Sequence, residues 1–326
     1  MIKTRVAALR HEAEGVIGVE LRAADASLLP PFEPGAHIEV HLPDGNTRRY
    51  SLCNDTTDAS RYCLGVGRSA MSRGGSAYIH EKLRVGDVLT ISEPRTLFRL
   101  SPEASRHRFI AGGIGITPII AMIRWCVRHE IPWELHYCVR SRSHAAYLDE
   151  LSSFGGHMQV HADDEDKTPR PRDVSGMMRD MDAREHIYCC GPAGMMDAVL
   201  LCGKQASVLP ERIHFERFAA PGNEVQGIGG IGAPVNGNKP FTVVLAKQGL
   251  RCIVEPNESI LESLERHGVL ATFSCREGLC RSCEVALLSG EADHRDYVLT
   301  DDEQQMNTSL MICVSRARSS ELVIDL

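Results

Sequence analysis

Four of the chain's 12 cysteines form an ordered array: Cys275, Cys280 and Cys283 read C-x4-C-x2-C, and Cys313 follows after 29 intervening residues. Four thiolates at this spacing are the ligand set of a [2Fe–2S] cluster of the plant type, whose sulfurs must converge on two irons. Gly278 lets the loop backbone curl close to the sulfur atoms. Zinc is the competing metal, but structural zinc takes two paired knuckles, and Cys313 stands alone. The other eight, Cys53, Cys63, Cys126, Cys138, Cys189, Cys190, Cys202 and Cys252, follow no such spacing and read as small buried hydrophobes, Cys190 being set apart by its neighbours.

Five further groups could handle a nucleotide or a planar ring. Arg48, Tyr50, Ser51 and Leu52 offer a cation for phosphate, an aromatic face and a hydroxyl able to bond a ring nitrogen. The same residues would also make an ordinary exposed strand. Arg73, Gly74, Gly75 and Ser76 form a small turn whose bare N–H groups and hydroxyl suit a phosphate, or else a plain turn. Gly112, Gly113 and Gly115, in GGIGITP, lie between the apolar strand RFIA and the helix IIAMIRWCV, where a dinucleotide phosphate would approach the backbone. This is not a strict G-x-G-x-x-G and reads equally as a tight strand-to-helix turn. Cys190, Gly191, Pro192 and Met195, in CGPAGM, end a second strand at the same sheet edge, where open α/β sheets bind ligands; a packed core cysteine is the plainer reading of Cys190. Between these two loops, after the second strand of the α/β region, Arg140 and Arg142 offer charge for a 2′-phosphate, although arginines at strand ends are commonly solvated.

The elements that must position these residues fall into three textures. Residues 1–100 carry short β-type runs punctuated by PPFEPG, LPDG and GRSAMSRGG, which predicts an antiparallel β-barrel. From Arg108 the pattern becomes strand, Gly-rich turn, helix, strand, which predicts an α/β domain with a parallel sheet. The tail predicts a hairpin, a helix, the Cys-rich loop and a last strand ELVIDL. Between them AAPGNEVQGIGGIGAPVNGNKP, with six glycines and three prolines, reads as a tether. The expected division is 1–102, 103–219, linker 220–239 and 240–326.

With 326 residues, 43% hydrophobic and 24% charged, the chain has the composition of a globular protein of two or three domains. Its longest apolar stretch, Phe109 to Ile123, is 15 residues and broken by glycines and Pro118, too short for a membrane span. The N-terminus lacks a signal-peptide pattern, so a cytoplasmic protein is expected, in which a disulfide framework is not. Of the net charge of −7, residues 240–326 contribute 8 Lys and Arg against 14 Asp and Glu. That surface does not suit nucleic acid, and it suits a basic protein partner.

RRYSLCN at 48–54, SRGGS at 72–76, GGIGITP at 112–118, CGPAGM, CREGLCRSC and MICVSRA together resemble the family of phthalate dioxygenase reductase and vanillate O-demethylase reductase, over nearly all of the chain. The resemblance implies a flavin barrel, an α/β nicotinamide domain and a C-terminal β-grasp ferredoxin domain. It implies FMN on Arg48 through Leu52 and Arg73 through Ser76, with the backbone near Val66 bordering the ring; FAD stays open beside it. It places Cys190 beside the hydride-bearing carbon and Thr117 and Phe218 at the flavin, so that Ser51, Thr117 and Cys190 form the reacting centre; Phe218 could otherwise be an ordinary core aromatic. NADH is the expected donor, with NADPH left open by the two arginines. Electrons would pass from NADH to FMN to [2Fe–2S] and on to a terminal Rieske-type oxygenase of an aromatic acid, from a monomeric reductase that binds neither nucleic acid nor membrane. The rivals are a reductase for a cytochrome P450 or a di-iron monooxygenase and a non-enzymatic iron–sulfur redox protein. One departure is Arg281, where such ferredoxins usually carry glycine; with Arg276 it puts positive charge in the cluster loop, expected to meet carboxylates of the acceptor.

Overall fold

A computed structural model describes residues 1–68, 74–165, 173–218, 238–273 and 275–326. Arg73, Ser72 and the linker up to residue 237 lie outside these. The chain divides into two compact units, Met1–Arg217 and Phe218–Leu326.

The first unit opens with strands β1 (Ile2–Ala13), β2 (Val16–Ala23), β3 (Ala36–His41), β4 (Thr47–Ser51) and β5 (Tyr62–Gly67), helix α1 (Gly75–Glu81), and strands β6 (Val88–Ile91) and β7 (Arg95–Thr96). All pair antiparallel, in the path β4-β3-β6-β1-β2-β5 with β7 on β3. A single antiparallel bridge between Leu52 and Leu64 brings the ends of the path together, curling the sheet into the expected barrel. Alternation along the strands turns Leu21, Ile38, Val40, Leu52, Leu64 and Ile91 into one buried core.

A parallel sheet follows: β8 (Arg106–Gly112), α2 (Ile116–Arg128), β9 (Trp133–Val139), α3 (Leu148–Ser153), β10 (His157–Ala162), α4 (Val174–Met177), β11 (Glu185–Cys190), α5 (Ala193–Gln205) and β12 (Ile213–Glu216). The order is β10-β9-β8-β11-β12, so the winding reverses between β8 and β11, and ligands of such sheets bind beyond the carboxyl ends of the strands there. Every residue of β9 is buried, as a central parallel strand covered on both faces requires. Pro118 is tolerated because it lies in the first turn of α2, where its missing N–H has no intrahelical partner.

The second unit is a mixed sheet, β14-β13-β19-β15-β17, built from β13 (Phe241–Leu245), β14 (Leu250–Val254), β15 (Glu284–Ser289), β17 (Ser309–Met311) and β19 (Glu321–Ile324). The hairpin β13–β14 is antiparallel, and β19 returns parallel to β13. Helix α6 (Ile260–Arg266) starts at a capping box between Ser259 and Glu262 and buries Ile260, Leu261 and Leu264 on the sheet. A small pair, β16 (Ala292–Asp293) with β18 (Arg316–Ala317), and helix α7 (Asp301–Met306) flank the Cys-rich loop.

Candidate functional site

The four spaced cysteines converge. The Cys275 sulfur lies within hydrogen-bonding reach of Cys280 and of Cys313, and Cys313 also meets Cys283. The Cys313 hydrogen bond holds the Cys283 thiol below its ordinary pKa, whereas bonds to Cys275 push Cys280 and Cys313 up. The backbone N–H groups of Glu277 and Leu279 donate to Cys275 Sγ at 3.3 and 3.4 Å, so the loop already aims dipoles at a sulfur. Gly278 makes this possible: at φ +68° its backbone passes so close to Val314 and Asp296 that a Cβ would lie 2.7 Å from Val314 Cγ2. Among the described residues no three His, Cys, Asp or Glu side chains are arranged for a single metal ion. Sulfur-only donors on a loop of inward N–H groups fit a thiolate-held dinuclear cluster. Arg276 and Arg281, expected to await an acceptor, are instead paired within the unit, Arg276 with Glu265 over the Phe273 ring and Arg281 with Glu303.

In the first unit, Arg48 lies directly over the turn that starts α1. A Cβ on Gly75 would sit 2.5 Å from Arg48 Cγ and 2.7 Å from its Nε, and Gly74 adopts φ +97°. Arg48 is steadied by donating to Asn46 Oδ1 at 3.0 Å and to Thr47 O at 2.8 Å. This brings Arg48, Gly74, Gly75 and Ser76 together as one cation-and-backbone cradle that fits a phosphate, while Arg73 falls outside the described residues. Tyr50 is half-buried, and desolvation pushes its phenol up to about 12. Leu52 is buried in the barrel core, and the Val66 carbonyl accepts from His80 Nε2 at 2.9 Å, which fixes β5 beside α1.

Ser51, at the end of β4, donates to Glu216 Oε2 at 3.3 Å, across 165 positions of chain. Glu216 ends β12 and sits in register beside Cys190 at the end of β11. Burial pushes its carboxyl up to about 7, against the pull of Arg49 and the Ser51 hydrogen bond. The Cys190 thiol is fully buried and raised well above its ordinary value, by desolvation first and Glu216 second. Glu216 was not singled out from sequence; the available signal was a carboxylate closing an apolar strand end at the same edge as CGPAGM.

The two glycine loops meet backbone to backbone at the switch point. A Cβ on Gly115 would lie 2.1 Å from Cys190 O, one on Gly112 2.6 Å from Pro192 Cδ, and one on Gly191 2.3 Å from Met195 Cε. Thr117 packs its methyl against Gly65 of the barrel, where a Cβ would stand 2.6 Å away, and its hydroxyl donates to Ile114 O at 3.0 Å. Thr117 therefore marks the seam between barrel and sheet, with its hydroxyl engaged in the turn. Gly113 turns at φ +52°. Phe218 is 42% exposed and begins the second unit. Arg142 pairs with Glu165 at 2.5 Å on the surface.

Residues 243–318 match the 2Fe-2S iron-sulfur cluster binding domain, and residues 109–200 match the oxidoreductase NAD-binding domain. The chain is 38% identical to the vanillate O-demethylase oxidoreductase of Pseudomonas sp. (strain HR199 / DSM 7063), covering 100% of each. It is 37% identical to the solved phthalate dioxygenase reductase, with a TM-score of 0.72 over 100% of this chain and 98% of that one. The chain belongs to the phthalate dioxygenase reductase family. Its fold is that of the family: antiparallel flavin sheet, parallel nicotinamide sheet and C-terminal iron–sulfur domain. That solved structure is described as a modular structure for electron transfer from pyridine nucleotides to [2Fe–2S], and this chain is an electron-transfer oxidoreductase. An intact type IV self-sufficient cytochrome P450 monooxygenase is also similar, at 33% identity and a TM-score of 0.87, covering 100% of this chain and 41% of that one. This chain thus spans well under half of that protein.

Proposed function

We propose that the protein takes electrons from NADH through FMN to its [2Fe–2S] cluster and delivers them to a terminal oxygenase of the Rieske type acting on an aromatic acid, by ring hydroxylation or O-demethylation. The observation that carries the flavin part is the Ser51–Glu216 hydrogen bond, 3.3 Å, which seats the RRYSL strand on the ligand-binding edge of the nicotinamide sheet. When bound, a flavin there supplies the conversion of a hydride pair into single electrons, which a cluster accepts one at a time.

The chain's own residues prepare that exchange. Arg48 with the Gly74–Ser76 backbone holds the flavin phosphate, and Tyr50 offers its ring beside the planar system. Glu216 Oε2 and Ser51 Oγ hold a proton near neutral pH at the junction. Gly112, Gly115 and Gly191 admit the dinucleotide backbone, and Cys190 with Met195 keeps water from the nicotinamide side. Thr117 fixes the seam between barrel and sheet. NADH is read as the donor over NADPH; of the two arginines open to a 2′-phosphate, Arg142 pairs with Glu165 on the surface. The domain division is 1–102, 103–219, linker 220–239 and 240–326, in a monomeric cytoplasmic protein without affinity for nucleic acid; no helix among the described residues is long and apolar enough to cross a membrane.

The aromatic-acid oxygenase is supported by full-length relatives such as the vanillate enzyme. A second reading, delivery to a P450, is favoured by the similarity to the self-sufficient P450 monooxygenase. The test is turnover of purified Rieske oxygenases on aromatic acids with this protein and NADH, after extraction has identified the flavin. Coupled product formation is expected; efficient reduction of a P450 with no oxygenase turnover would select the second reading, and extracted FAD would overturn the FMN assignment.

A further inference from the structure

Arg281 stands between the second and third cluster ligands with φ +55°, a left-handed conformation unfavourable for a non-glycine residue. Something must hold a long charged side chain in so unfavourable a place, and its partners are specific. Arg281 Nη2 donates to Glu303 Oε2 at 2.5 Å and to Val298 O at 2.9 Å, and Nη1 lies 3.6 Å from Glu284 Oε2. Glu303 belongs to the first turn of α7 and closes the capping box with Thr300. The Arg281 hydrogen bond is the main reason its carboxyl stays below the ordinary carboxylate range. The pair is half-buried, with side chains 30% and 33% exposed, so it is screened less than a surface pair.

We propose that Arg281 is a positioning residue of the iron–sulfur centre: its pair with Glu303 fastens the loop between Cys280 and Cys283 to α7 and sets the local field in which the cluster takes up an electron. The inference rests on the cluster assignment above. Reduction adds negative charge, so a cation left unpaired beside the loop favours the reduced cluster, and an unpaired carboxylate opposes it. Paired, Arg281 and Glu303 nearly cancel, and Glu284 is the same in the parent and in every variant. The charge at Arg281 is then spent within the unit rather than on the acceptor.

The test is a potentiometric titration of the full chain, following the electron paramagnetic resonance signal of the reduced cluster, in the parent, Arg281→Gln, Glu303→Gln and the double variant. The expected result is a downward shift of the cluster potential in Arg281→Gln, an upward shift in Glu303→Gln, and a return toward the parent value in the double variant. Shifts of the same sign, or no shift with slower delivery to the acceptor alone, would overturn the proposal, the latter in favour of a docking role. Arg281→Lys guards against misfolding: it keeps the charge, and a parent-like potential is expected. Loss of the cluster in both Arg281→Gln and Arg281→Lys would reduce the residue to a scaffold and overturn the field argument. Absence of the signal in the parent would overturn the cluster assignment itself.

Discussion

Cys280 and Glu216 mark two extremes of what a residue discloses about itself. The cysteine sits in a motif nine residues long, so its role is written locally, and the structure adds only the convergence of the sulfurs. Cys280→Ser should abolish the paramagnetic signal of the reduced cluster while flavin reduction by NADH continues, because the two lie in separate compact units. A persisting normal signal would remove Cys280 from the ligand set. Glu216 has no motif, and its partner Ser51 is 165 positions away, so only the pairing of β11 with β12 and the seating of β4 reveal it. Burial favours its protonated acid, with a pKa of about 7 in the folded chain. Folding stability contributed at this site is therefore present below the ordinary carboxylate range, declines as pH rises toward about 7 and changes little beyond. Glu216→Gln should flatten that decline in urea titrations across pH 4.5 to 7, and should remove an inflection near 7 from the rate of flavin reduction. An unchanged pH profile in both measurements would deny the carboxyl its role.

At the scale of elements, the strand-to-turn-to-helix rhythm of residues 108–139 was legible because hydrophobic periodicity and glycine placement are local signals. How the loops after β8 and β11 meet was not, since it depends on the crossover that sets those strands side by side. Gly115→Ala would drive a Cβ to 2.1 Å from Cys190 O, a backbone atom that cannot rotate away. A stability loss of about 1–3 kcal/mol is expected, together with a raised KM for NADH. Thermal unfolding and steady-state kinetics check this, and an unaltered KM would show that the nucleotide does not use this edge. The α1 turn behaves differently, because there a side chain, Arg48, covers the glycine. Arg48→Ala removes a charge-assisted contact of about 1.5–3 kcal/mol, so flavin affinity should fall roughly 10- to 100-fold. Full retention of flavin through dilution and gel filtration would place the phosphate elsewhere.

For the whole molecule, charge is divided unevenly, with residues 240–326 holding most of the net −7. Since Arg276 and Arg281 are occupied by Glu265 and Glu303, the exposed Asp301 and Asp302 dominate what α7 presents. Delivery to a basic acceptor should therefore slow as ionic strength rises and screening shortens to about 8 Å near 0.15 M, while flavin reduction by NADH stays level. Stopped-flow measurements across salt separate the two, and equal salt dependence of both steps would contradict electrostatic steering. The contact of Gly115 with Cys190 has one more consequence. The turns after β8 and β11 are wedged against each other and carried by neighbouring strands of one sheet, so neither can swing without prising the register of β8 and β11 apart. As the proposed nucleotide mouth, these turns would act as a gauge of set width, selecting by fit.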